Sequence, residues 1–196
     1  IYSFYMLYLS REFFMLRTKD ILDEKEKILR EISKEVTFPL EKSDLETIDT
    51  MMEYLVNSQN EKLSEKYDLR PGMGMSAVQV GVLKRYFVWA MEQEDGSFDK
   101  KVFINPKILS TSEELMYVGE GEGCLSVNRP VEGIVLRAAR ITMQYQDING
   151  KKQKIRLREL EAIVAQHEID HLNGILFPDR IDKKNPYKDK NKYRAF

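Results

Sequence analysis

The chain has 196 residues, with one cysteine and two histidines set against 31 Lys+Arg and 32 Asp+Glu. A lone Cys rules out an internal disulfide framework and the cysteine-rich zinc modules, while the length suits one domain that buries about 70% of its unfolded surface. A formal net charge of -1 argues against a surface built to coat DNA or an anionic membrane.

The most apolar stretch, residues 1–9, is far shorter than the roughly 20 residues of a membrane helix. It also lacks the basic start and small-residue cleavage site of a signal peptide. The expectation is a cytoplasmic protein with no membrane or DNA partner, in which residues 1–14 are an extension ahead of Met15. Asp23 to Lys34 reads as a charged helix with Ile28, Leu29 and Ile32 as its apolar face, ended at Phe38-Pro39-Leu40. Ser43-Asp44-Leu45-Glu46 has the form of a capping box. Leu45, Ile48, Met51, Met52, Leu55 and Val56 follow at helical spacing and predict a buried stripe. The segment from Asn57 to Arg70 is polar, and three glycines between Gly72 and Gly81 interrupt any regular element.

Strand patterns follow at Arg85–Met91, Lys101–Ile104 and Ile108–Val118. Ile141, Met143 and Tyr145 alternate with polar residues, Asn149-Gly150 signals a turn, and Ile155 and Leu157 alternate beyond it, which predicts a hairpin. Glu159 to Asn173 returns to helical periodicity, with Gly174 placed as its C-terminal cap. The predicted fold is a single α+β domain, antiparallel sheets packed around a central C-terminal metal-binding helix. The domain spans residues 15–187 and a basic tail spans 188–196.

His167-Glu168-Ile169-Asp170-His171 lies inside the last predicted helix. Residues four apart share one helix face, so both imidazoles can reach a single metal ion. Glu168, about 100° around the axis, is poorly placed to ligate and well placed to take a proton from metal-bound water. A catalytic metal needs a third protein ligand. No Glu follows His171, and Phe177 stands where the longer HExxHxxGxxH pattern needs its last histidine. Asp179 and Asp182 remain as carboxylate candidates; Cys124, flanked by glycines at 119, 121 and 123, is the favoured one. Leu160, Ile163 and Val164 lie seven, four and three residues before His167 and predict either an apolar substrate wall or plain core packing. Met73 can join that wall, and Gly74, without a Cβ, would let a substrate backbone approach. Asp170 lies on another helix face and suits a salt bridge behind the ligands.

Three motifs in order carry a family resemblance: Gly72-Met73-Gly74-Met75-Ser76-Ala77-Val78-Gln79, Glu122-Gly123-Cys124-Leu125-Ser126, and Gln166-His167-Glu168-Ile169-Asp170-His171. Together they resemble the peptide deformylases, and the polar insertion before Gly72 with the stretch from Val127 to Gly133 is similar to the longer-looped bacterial subtype. The resemblance implies removal of formate from the N-formylmethionine of nascent chains, with Cys124, His167 and His171 as metal ligands. Iron(II) would be the native metal, and zinc, nickel or cobalt could replace it. It also implies Gln79 and the Leu125 N–H as oxyanion donors and Arg137 as the partner of Asp170. Two departures stand out: Ser76 replaces a usual alanine and Val78 a usual proline, so altered loop packing or rate is expected. The rival readings are a metallopeptidase and a non-catalytic metal-binding homologue. The Lys- and Tyr-rich segment from Lys183 to Arg194 reads first as a solvated terminus and second as a transient contact with ribosomal RNA.

Overall fold

A computed structural model describes residues 15–196. Strand β2 (Tyr86–Glu92) is its central element, because residues on both of its faces are buried. Successive side chains of a strand point to opposite faces. Tyr86, Val88 and Ala90 accordingly join one core cluster, with Ile48, Met51, Tyr54 and Leu55 of helix α1 (Lys42–Ser58). Phe87, Trp89 and Met91 join another, with Ala162, Val164, Ala165, Ile169 and Leu172 of helix α3 (Glu159–Leu172). The sheet thus separates two helices, and the metal-site candidates lie on α3.

That sheet has five antiparallel strands in the order β1-β2-β3-β6-β7, with β1 Gly74–Ser76, β3 Phe98–Thr111, β6 Arg140–Gln146 and β7 Lys152–Arg158. The hairpin expected around Asn149-Gly150 is present as β6–β7, paired from Arg140↔Arg158 to Gln146↔Lys152. Gly150 supplies a positive φ of 79° there. A second sheet, β5-β4-β8, contains β4 (Leu115–Tyr117), β5 (Arg137–Ala138) and β8 (Arg194–Ala195). No helix among the described residues is long and apolar enough to cross a membrane. The expected extension, residues 1–14, lies outside the described residues.

Several sequence expectations need correction. Asp23 to Lys34 forms no α-helix, only a single 3₁₀ turn at Lys27–Arg30. Besides its local turns, it bonds to distant segments, Glu24 N–H to Ser126 O and Ser33 N–H to Leu172 O, and Leu22 just before it donates to Gln79 O. The segment therefore ties together the regions that carry all three motifs, and Ile32 is left 71% exposed. Helix α1 begins at Lys42 with Glu41 as N-cap, so Ser43 is not the cap; Leu45 is exposed, and the Asp44 carboxylate is buried against Lys84 at 2.8 Å. The polar segment after α1 holds a short helix α2 (Glu61–Tyr67), capped by Asn60 accepting the Leu63 N–H at 3.1 Å. The two strands expected at 101–104 and 108–118 are divided differently. Strand β3 runs on to Thr111 through register shifts near Asn105 and Leu109, and β4 starts afresh in the other sheet. The Asn105 side chain accounts for the first irregularity, bonding both N–H and C=O of Val36 at 2.8 Å.

The C-terminal end of α3 is as expected. Gly174, at φ 72°, donates to His171 O, and Ile175 donates to Asp170 O, a Schellman pair. The last residues do not fray: β8 pairs in parallel with β4, and Phe196 N–H donates to Tyr117 O at 2.8 Å.

Candidate metal centre

Helix α3 brings His167 and His171 one turn apart, with ring centroids separated by 5.0 Å. The loop after β4 carries Cys124 to the same point, with Sγ 3.2 Å from His171 Nε2. One donor atom from each of the three residues lies within 4.8 Å of the others. The alternative carboxylates are engaged elsewhere: Asp179 accepts the Leu176 N–H and pairs with Arg30, and Asp182 accepts the N–H groups of Lys184 and Asn185.

The Cys124 loop is held from several directions. Arg70 donates to Cys124 O at 2.7 Å, the Ser126 N–H points at Cys124 Sγ at 3.4 Å, and the buried Gln79 amide reaches Sγ at 3.8 Å and Ser126 Oγ at 3.1 Å. His167 Nδ1 meets Glu122 Oε2 at 2.9 Å, which turns its Nε2 toward the donor cluster. Arg137 bridges Glu122, at 2.7 and 2.8 Å, to Asp170, and Arg180 pairs with the same Asp170 carboxylate. The Arg137, Glu122 and Asp170 side chains are each 6% exposed or less. Gln166 clips β5, which carries Arg137, onto α3 through both backbone groups of Ala138.

The electrostatics suit a bound cation. Burial opposes charge on His167, yet the neighbouring Cys124 and Glu122 hold its pKa well above the ordinary value. Positive charge is therefore favoured at that point. Burial, then the neighbouring His167, pushes His171 well below its ordinary value, leaving a neutral imidazole of the kind that ligates. Its Nδ1 is buried with no hydrogen-bond partner among the described residues. Glu122 is pushed up by burial and brought down further by Arg137 and His167, to about 2. One thiol and two imidazoles, with a carboxylate behind one ring, fit a borderline-soft divalent ion and offer only three protein ligands.

Glu168 lies beside this cluster, 3% exposed, against β1. Ser76 Oγ donates to its Oε2 at 2.7 Å, while a Cβ on Gly74 would stand 2.6 Å from its Oε1. Burial raises the Glu168 pKa, with His167 and Ser76 acting in the opposite sense. A raised carboxyl is better matched to proton transfer near neutrality than an ordinary one. Gln79 Oε1 accepts the Ser76 N–H at 2.9 Å, and the Leu125 N–H has no partner among the described residues.

The expected pocket residues are dispersed. Leu160 and Val164 pack into the core cluster beneath the sheet, Ile163 packs with Met116 and Ala139, and Met73 is 37% exposed beside β1. Gly74 makes room for Glu168 itself, a close approach by a side chain of this chain. Sequence reasoning missed Glu122 as the orienter of His167, and also Arg70 and Arg180. The first could have been found from an acidic residue two before the ligand Cys, since ligating histidines usually donate their other nitrogen to a carboxylate. The two arginines carry no such signal.

An α+β scaffold that aims one thiol and two imidazoles at a point, with a buried carboxyl alongside, defines a metal-dependent hydrolase. The family model described as polypeptide deformylase matches residues 18–187. The peptide deformylase 2 of Bacillus anthracis is 46% identical over 173 residues, 88% of this chain and 94% of that one. The peptide deformylase of Lacticaseibacillus casei is 49% identical over 174 residues, 88% and 95%. The crystal structure of peptide deformylase from Thermotoga maritima superposes with a TM-score of 0.66 at 33% identity, covering 83% of this chain and 96% of that one. The chain belongs to the polypeptide deformylase family.

Proposed function

We propose that the chain removes the formyl group from N-terminal formylmethionine of nascent polypeptides at the Cys124–His167–His171 centre, with Glu168 as general base and then general acid. The observation that carries this reading is the pairing of three convergent donors with a buried carboxyl of raised pKa one residue from a ligand. Cys124, His167 and His171 would hold a divalent cation, which when bound would supply Lewis acidity toward a carbonyl and water. Glu168 takes the proton of the attacking water as the new C–O bond forms at the formyl carbon. The Gln79 side-chain amide and the Leu125 N–H donate to the developing oxyanion. Glu168 then delivers its proton to the amine as the C–N bond breaks, giving formate and a free N-terminal methionine.

Among the described residues the edge strand β1 pairs with β2 alone, so its other edge offers main-chain groups to an extended peptide. Such pairing ignores later side chains and suits many nascent sequences. Met73, part-exposed beside β1, is the residue we assign to the methionine side chain, while Leu160, Ile163 and Val164 are packed in the core. Iron(II) is the metal we assign, with zinc, nickel or cobalt able to occupy the same donors. On this reading the protein acts in the cytoplasm, where formylated chains emerge. The exposed Lys183, Lys184, Lys188 and Lys190 are the cations available to ribosomal RNA; binding to ribosomes that does not weaken with salt would remove that contact.

The test is anaerobic purification with metal analysis, followed by formate release from a formyl-Met peptide. Stoichiometric divalent metal and formate release are expected; a metal-loaded protein that releases none would sink the reading.

A further inference from the structure

Strand β1 presents Gly74 and Ser76 to α3 on one face, two residues apart, and the Glu168 carboxyl sits between them. Gly74 contributes space. Ser76 contributes a hydroxyl at a position where the resembling family usually has alanine. That hydroxyl is fully buried, 2.7 Å from Glu168 Oε2 and 3.0 Å from the Glu168 carbonyl oxygen. Its own backbone is pinned through the Gln79 side chain. Among the described residues, Ser76 is the only hydrogen-bond donor to the Glu168 carboxyl.

We propose that Ser76 is a positioning residue that holds the Glu168 carboxyl in a single orientation. The proposal rests on the reading of Glu168 as the group that accepts and returns the proton. A hydroxyl has one proton and two lone pairs, and Ser76 Oγ lies within hydrogen-bond distance of both Oε2 and the carbonyl oxygen of Glu168, so it ties the carboxyl to its own backbone. An alanine here would leave Oε2 without a donor and the carboxyl free to turn about its side-chain bonds. The chain's departure from the usual alanine is thus a device for fixing the base.

The experiment compares wild type, Ser76→Ala and Ser76→Thr. Alanine is the family's usual residue, so that variant is expected to fold and to load metal normally. Its kcat for a formyl-Met peptide should fall about ten-fold, the rate equivalent of one hydrogen bond to a charged group, with KM unchanged. Ser76→Thr, which keeps the hydroxyl, should recover most of that loss. A crystal structure of metal-free Ser76→Ala should show the Glu168 carboxyl spread over more than one rotamer, where wild type shows one. Unchanged kcat, a loss confined to KM, or a single wild-type rotamer in the alanine variant would overturn the inference. If wild type itself releases no formate, the functional reading fails, and the rotamer comparison still decides whether Ser76 positions the carboxyl.

Discussion

The two sides of α3 that flank the donor cluster are built from different materials. Behind His167 stand four charges, Glu122, Arg137, Asp170 and Arg180, paired in a chain that sums to zero. Around Glu168 stand a hydroxyl, a glycine and no ion-pair partner among the described residues. A buried ion-pair chain fixes orientation strongly and lends negative charge to a ligand ring. The same chain beside Glu168 would pull its pKa down and spoil it as a base. The ligand role proposed for His167 and the base role proposed for Glu168 call for opposite surroundings, and one helix provides both by turning about 100° between neighbouring residues.

The largest effect that would break this division is on the base. Glu168→Gln should lower formate release by about 10²–10⁴-fold while metal content stays at wild-type level. His171→Ala should instead lose the metal, read by elemental analysis; loss of metal in the glutamine variant would show that the two sides are not separable. Next comes Arg137→Leu, which strands Glu122 in the interior. A cost of about 3–5 kcal/mol in denaturant unfolding is expected, with metal affinity falling roughly 10–100-fold. Gly74→Ala should follow, since its Cβ would stand 2.6 Å from Glu168 Oε1 and the carboxyl must move. About a 100-fold fall in kcat with normal metal content is expected, and a wild-type rate would show that the base is not held as described.

The smallest effect is on acid stability. Glu122 has a native pKa of about 2 against an ordinary 4.5, so the unfolded chain takes up the proton first as pH falls. Its contribution is complete above pH 4.5 and is lost progressively as pH drops toward 2. Unfolding free energies measured from pH 6 downward should show that slope in wild type, and a shallower one in Glu122→Gln.

The legible parts of the molecule were those whose partners are close in sequence. The imidazole pair follows from a four-residue spacing, the β6–β7 hairpin from alternation about Asn149-Gly150, and the end of α3 from Gly174. Cys124 came by elimination, because the chain has so few soft donors. Asp23 to Lys34 misleads because its apolar spacing is helical while its backbone donors reach Ser126 and Leu172, up to 139 residues away. Leu45 has the right period for burial, but α1 is rotated so that Asp44 meets Lys84. Ser76 shows the limit most plainly: its departure from the family pattern was visible, whereas the carboxyl it touches lies 92 positions further along.

The closing strand has a practical side. Arg194–Ala195 completes the three-stranded sheet through Met116 and Tyr117, Arg194 pairs with Glu159 at the start of α3, and Met116 packs on Ile163. Proteolytic removal of residues 194–196 would act on a strand that is two contacts from the helix that carries His167 and His171.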